Sequence, residues 1–164
     1  MTDNELTQLS IRVGERLLAR HASVTTAESC TGGWIAKVLT DIAGSSAWFQ
    51  RGFVTYSNDA KQQMIGVTEA SLMQFGAVSE QVVQEMAQGA LRGAGAQFAI
   101  SVSGIAGPDG GSDEKPVGTV WFGFASASGE VLTLVRRFSG DREAVRRQAT
   151  AWALQTLHDH FLKN

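Results

Sequence analysis

Four residues with oxygen- or sulfur-bearing side chains, Glu28, Ser29, Cys30 and Thr31, stand together in the stretch AESCTGG and run straight into a glycine pair. A serine or a thiolate there could attack a carbonyl carbon. The backbone amides of Thr31, Gly32 and Gly33, unpaired at a helix start, could then receive the charge that develops on the carbonyl oxygen. The glycines permit close approach or positive φ. The same residues also make an ordinary cap, with Ser29 or Thr31 satisfying a helix N-terminus and nothing reacting. Cys30 is intrinsically the stronger nucleophile, but only as a thiolate, and a lone cysteine is by default a small buried hydrophobe. Strand alternation would point Ser29 and Cys30 apart and leave only one of them in a site.

A serine hydroxyl needs a base. Lys61, one of only four lysines, follows the single tyrosine, Tyr56, by five residues in YSNDAK. It falls in the first turns of a short helix, where the dipole disfavours a cation. With burial, that setting would lower its pKa and let it accept a proton, with Tyr56 to relay or orient it. The alternative is a solvated Lys61 paired with Asp59. A third stretch, SGIAGPDGG, offers Ser103, Gly104 and Gly107 as a substrate or anion cradle, a weaker signal because glycine-rich loops are common. In SGDREAVRRQ, Arg142 and Arg146 share one helix face at i, i+4, again against the dipole. A bound phosphate would repay that arrangement through bidentate contacts, or Asp141 and Glu143 could simply neutralise it.

These stretches need a scaffold that brings them together. Leu6, Leu9, Val13 and Leu17 predict an amphipathic helix over 4–20, and the β-branched ASVTTA predicts a buried strand. GGWIAKVLTDI reads as a helix stopped by Gly44, and WFQRGFVTY as the next strand. Ser57 caps the short helix NDAKQQMI, which Gly66 ends, and Thr68 and Ser79 cap two more. QFAISVS is a strand, and the runs on either side of Ser128-Gly129 form a hairpin. A last helix over 141–161 buries Val145, Ala149, Trp152, Thr156 and Leu157. Strands alternate with helices up to the hairpin, which predicts an α/β fold: a single-domain three-layer sandwich, its mixed β-sheet carrying helices on both faces. In such folds, loops beyond the carboxyl ends of the strands collect the site, and all of the candidate strand-end loops fall there.

Composition narrows the classes. At 164 residues, 43% hydrophobic and 18% charged, the chain reads as one globular domain. A net charge of −2 without a basic block argues against nucleic acid as a partner. One cysteine excludes an internal disulfide framework and suits a reducing cytoplasm. No apolar run reaches the length of a membrane span, and MTDNELTQLS lacks signal character. His21, His158 and His160 have no ligand-like spacing with Cys30 or an acidic cluster, so no metal is expected.

Taken together, TAESCTGGW, GFVTYSNDAKQQMIGV, GAVSE, SVSGIAGPDGG, KPVGTVWFGF and FSGDREAVRRQA closely resemble the CinA C-terminal domain family, above all its stand-alone nicotinamide-nucleotide amidases. These pieces span nearly the whole chain, so 1–164 is expected to be one CinA C-terminal-like amidase domain. The additional N-terminal domain of longer relatives, and its activity, are expected to be absent. The resemblance implies an amidohydrolase that converts nicotinamide mononucleotide to nicotinate mononucleotide and ammonia within pyridine-nucleotide recycling. It implies a serine nucleophile and an acyl-enzyme, carried by Ser29, Lys61 and Tyr56, with no cofactor. Glu28 would orient a partner or hold substrate. The glycine loop and Arg142 or Arg146 would hold the ribose phosphate. The partner expected is a small-molecule nucleotide, with the oligomeric state open, a homo-oligomer included. The rival readings are a non-catalytic nucleotide- or phosphate-binding module and a cysteine amidase using Cys30.

Overall fold

The computed structural model describes residues 1–163. Five strands, β1 (Val24–Glu28), β2 (Phe53–Val54), β3 (Phe98–Gly104), β4 (Thr119–Ser126) and β5 (Val131–Arg137), form one sheet in the order β2-β1-β3-β4-β5. β1 runs parallel to β2 and β3, whereas β4 and β5 continue the sheet antiparallel. Helices α1 (Asp3–Ala19), α2 (Trp34–Thr40) and α6 (Arg142–Thr156) cover one face. Helices α3 (Asn58–Ile65), α4 (Glu69–Phe75) and α5 (Glu80–Ala94) cover the other. This is the three-layer α/β sandwich that the sequence predicts.

The period of two along the strands sorts residues by size. Ile100, Val102, Phe122 and Phe124 face α1, α2 and α6, where Leu6, Leu9, Val13, Ile35, Leu39 and Leu154 meet them. Ala27, Ala99 and Ala125 face α5, joined there by Val82, Val83, Met86 and Ala90. Small residues let α5 lie close to the sheet. The Ser101 hydroxyl donates to the Val83 carbonyl, and a Cβ on Gly123 would come within 2.4 Å of that same oxygen.

Gly89 serves the neighbouring helix in the same way, since a Cβ there would sit 1.8 Å from the Ile65 carbonyl oxygen. Gly89→Ala gains about 1 kcal/mol of helix propensity. The obstacle is backbone, which cannot rotate aside, so overpacking costs about 3 kcal/mol or more. A lowered denaturation midpoint in urea is the expected net result, and an unchanged midpoint would show that α3 and α5 can separate freely.

Two elements differ from the sequence reading. WFQRGFVTY yields only the two-residue β2, preceded by a tight helical turn at Ser45–Ala47. Trp48 and Phe49 leave the strand pattern because they plug the core, with Trp48 lying against Gly14, where a Cβ would meet its ring at 2.6 Å. The last helix ends in a wider turn at Leu157–Leu162, and Trp152 and Thr156 are half-buried where Ala153 and Leu154 are buried. Trp152 lies at the margin of the sheet, its ring under the Arg136 guanidinium and against Phe122.

Strand order fixes where a site can form. The chain leaving β1 enters α2 on one face, and the chain leaving β2 enters α3 on the other. Neighbouring connections therefore diverge at the carboxyl edge of the sheet and open a crevice there. No described helix is long and apolar enough to cross a membrane.

Candidate active site

Ser29 is the first residue beyond β1. Its amide still donates to the Val102 carbonyl (3.0 Å), which ties it to the sheet, and the Gly32 amide turns back onto the Ser29 carbonyl (3.0 Å). Gly32 and Gly33 carry the chain from this turn into α2 at φ of 59° and 101°, the left-handed region where a Cβ is costly. Gly33 has no side chain with which to cap α2. Glu28 supplies the cap from inside: its carboxylate accepts from the amides of Ile35 (2.9 Å) and Ala36 (3.0 Å) and from the Thr31 hydroxyl (2.6 Å). Burial pushes the Glu28 carboxyl upward, and these donors, with the Gly33 amide, oppose the push. The Glu28 side chain is thus buried within the turn that presents Ser29.

Lys61 reaches the serine from the opposite layer. Ser57 caps α3 by accepting from the Ala60 amide (3.0 Å), as its position in the sequence predicts, and Lys61 follows one residue later. The Lys61 side chain is 1% exposed. Its Nζ donates to Ser29 Oγ at 3.0 Å and to the Thr55 carbonyl at 2.9 Å. No ion pair links it to a described carboxylate, and the pair with Asp59 is not formed. Burial pushes its pKa down, with Cys30 opposing only in part. With no carboxylate to offset it, that burial disfavours the protonated form relative to a solvated lysine.

Cys30 shares the cavity with Ser29, contrary to the strand-alternation argument. Both residues lie past the end of β1, in a turn, where alternation no longer applies. The thiol is nonetheless poorly disposed to react: burial and the Glu28 carboxylate push its pKa up to about 12. A thiolate at neutral pH is excluded by that environment.

The cavity has a volume of about 320 Å³ and gathers Ser29, Tyr56, Lys61, Ser103, Gly104, Gly107 and Arg142 from four separate segments. Tyr56 is exposed, and its hydroxyl accepts from Arg142 Nη2 at 2.9 Å. Arg142 Nη1 donates to the Gly107 carbonyl at 2.8 Å, so one guanidinium joins the tyrosine wall to the glycine loop. Thr31, Gly32, Gly33 and Arg146 line a different hollow on the far side of the serine turn, beside Trp34. Two of the three amides offered as oxyanion donors are engaged, Gly32 on Ser29 and Gly33 towards Glu28. Among the described residues, no cluster of three or more His, Cys, Asp or Glu is placed to hold a metal ion.

Sequence reasoning did not single out Thr55, Asn58, Ala77, Val78, Ile105, Ala106, Asp109 or Gly110, although the last four lie within the SGIAGPDGG stretch. Thr55 holds Lys61 through a backbone carbonyl, which every residue possesses, so its identity carries no signal. The others line the cavity, and Asn58 was within reach of inference because it opens the helix that carries Lys61.

A one-domain α/β sandwich with a serine held against a buried lysine at the switch point of its sheet is a recognisable type of protein. The chain belongs to the CinA C-terminal domain family, whose sequence profile matches residues 6–161. It is 73% identical over 164 residues to a nicotinamide-nucleotide amidohydrolase PncC of Escherichia coli K12, covering 100% of this chain and 99% of that one. A protein of the same name from Pseudomonas putida is 55% identical over 152 residues, 93% of this chain and 94% of that one. Among solved structures, the competence/damage inducible protein CihA of Agrobacterium tumefaciens superposes with a TM-score of 0.92 at 47% identity, covering 96% and 94% of the two chains. A CinA superfamily protein of Klebsiella pneumoniae gives 0.89 at 45%, covering 93% and 94%.

Proposed function

We propose that this protein is a nicotinamide-nucleotide amidohydrolase that converts nicotinamide mononucleotide and water to nicotinate mononucleotide and ammonia, in pyridine-nucleotide recycling in the cytoplasm. The observation that carries the chemistry is the contact between Ser29 Oγ and the buried, unpaired Lys61 Nζ at 3.0 Å. The substrate follows from near full-length identity to proteins of that name.

In the first half-reaction, neutral Lys61 takes the Ser29 proton as Oγ attacks the carboxamide carbon. The Thr55 carbonyl accepts one Nζ hydrogen and holds the amine beside Ser29 Oγ, where Nζ, once neutral, can rotate its lone pair towards the hydroxyl. Charge moves onto the carboxamide oxygen, where the amides of Cys30 and Thr31, the central residues of the turn closed by Gly32, are the donors at hand. Lys61 then passes its proton to the departing nitrogen, ammonia leaves, and an ester on Ser29 remains. In the second half-reaction, water attacks the ester, Lys61 takes the water proton and returns it to Oγ, and the carboxylate is released. Tyr56 stands in the wall with Arg142, so the proton passes directly between Ser29 and Lys61. Incubating purified protein with nicotinamide mononucleotide and following ammonia tests this reading. No ammonia from folded protein would leave the nucleotide-binding module as the better account.

Arg142 faces the cavity without a carboxylate partner among the described residues and is assigned to the substrate phosphate. A hydrogen bond to a charged group is worth ~1.5–3 kcal/mol, so Arg142→Ala should raise KM for the nucleotide roughly tenfold or more. Nicotinamide riboside, which lacks the phosphate, should be affected far less. Equal losses on both substrates would assign Arg142 to holding the Gly107 loop and not to phosphate.

A further inference from the structure

Arg146 stands on the same face of α6 as Arg142, one turn further along, yet the structure gives it a different task. Its Nε donates to the Cys30 carbonyl at 3.0 Å and its Nη2 to the Thr31 carbonyl at 3.2 Å. These two carbonyls belong to the residues that immediately follow Ser29. The guanidinium also lies over the Trp34 ring, 5.7 Å from its centroid, which fixes its plane. A Cβ on Gly32 would come within 3.1 Å of Nη2, so the chain passes close under the guanidinium here. The hollow it lines is not the one that contains Ser29, Lys61 and Arg142.

We infer that Arg146 is a positioning residue for the nucleophile, clamping the serine turn from behind and strengthening its amides, and that it does not bind the substrate phosphate. Two forked donors on consecutive carbonyls fix both the place and the tilt of the peptide planes after Ser29, which a point cation could not do. The electrostatic consequence follows from the peptide unit. The Cys30 carbonyl shares its peptide group with the Thr31 amide, and a charged donor on the oxygen polarises the N–H at the other end. Glu28 holds the opposite side of the same turn through the Thr31 hydroxyl and the first amides of α2. The turn is thus gripped by a carboxylate from within its own segment and by a guanidinium from 116 residues away.

This inference rests on the Ser29 reading above, and a test that bypasses the nucleotide separates the two. A fluorophosphonate phosphonylates an activated serine, Oγ displacing fluoride from phosphorus, without needing a phosphate subsite, and mass spectrometry locates the label. In the unaltered protein the label should fall on Ser29. In Arg146→Lys, which keeps the charge but loses the fork, the labelling rate and kcat should both fall on the order of 100-fold, the scale of a 1 Å misplacement, while KM stays within about threefold. Arg146→Ala should recover part of both rates when guanidinium ion is added at millimolar concentration, with the melting temperature measured alongside. A labelling rate left intact in Arg146→Lys together with a raised KM would return Arg146 to the phosphate and overturn the clamp. Arg146→Ala that stays folded and is not restored by guanidinium would also count against it. An unaltered protein that deamidates the nucleotide but takes no label on Ser29 would remove the nucleophile assignment, and the clamp with it.

Discussion

Lys61→Met should leave a folded protein whose kcat falls by about 10²- to 10⁴-fold, the contribution of a well-placed general base. Methionine keeps much of the stem that fills the space beneath Ser29 and removes only the amine. Lys61→Arg should be damaged as severely, because a guanidinium stays protonated and cannot take the serine proton. The pH profile carries the same prediction. Burial pulls the Lys61 pKa below its ordinary value of 10.5, so activity should rise with pH along one basic limb whose midpoint lies below that value. Stability should rise over the same window. Between the lowered pKa and 10.5 the unfolded chain holds a proton that the folded one has released, so raising the pH favours the folded state until both are neutral. A folded Lys61→Arg enzyme with near-normal kcat would falsify the general-base role.

Ser29→Ala should lose turnover on the order of a millionfold, the scale at which nucleophile deletions in serine hydrolases register. Only Oγ is deleted, and the anchoring bonds of residue 29 are made by its backbone, so nucleotide binding by calorimetry should persist. Cys30→Ala is the matched control. Its thiol is buried and held at a pKa of about 12, so activity should remain within a few-fold. Losing one buried sulfur should cost about 1 kcal/mol of stability, in the range of a single buried methylene. An inactive but folded Cys30→Ala beside an active Ser29→Ala would transfer the chemistry to the thiol.

What the sequence displayed were features whose causes are local. The Ser57 cap and the Gly66 stop bound α3 as read, and the hairpin at Ser128-Gly129 closes where it should. AESCTGG, YSNDAK and SGIAGPDGG do meet at one edge, because each follows a strand of the same sheet. The features that escaped depend on the third dimension. Lys61 is buried with its amine against Ser29 and the Thr55 carbonyl, partners outside α3 that no pattern within NDAKQQMI encodes. Arg142 and Arg146 look equivalent at i, i+4, but one faces the cavity and the other the back of the serine turn. Carbonyls decide that difference, and carbonyls have no letter in a sequence. β2 was read too long because Trp48 and Phe49 suit a strand as well as they suit the core they fill.

The grip of Arg146 on residues 30 and 31 also sets an order in time. A ribosome delivers the serine turn first, then the lysine helix, and more than a hundred residues beyond the turn must emerge before α6 can supply its guanidinium to it. Contacts of such long sequence separation close late, since the loop entropy between them must be overcome first. Until then the turn after Ser29 lacks its second anchor. A nascent chain should therefore acquire its reactive serine only once α6 has emerged and docked, and hydrolytic competence would mark that docking and no earlier stage.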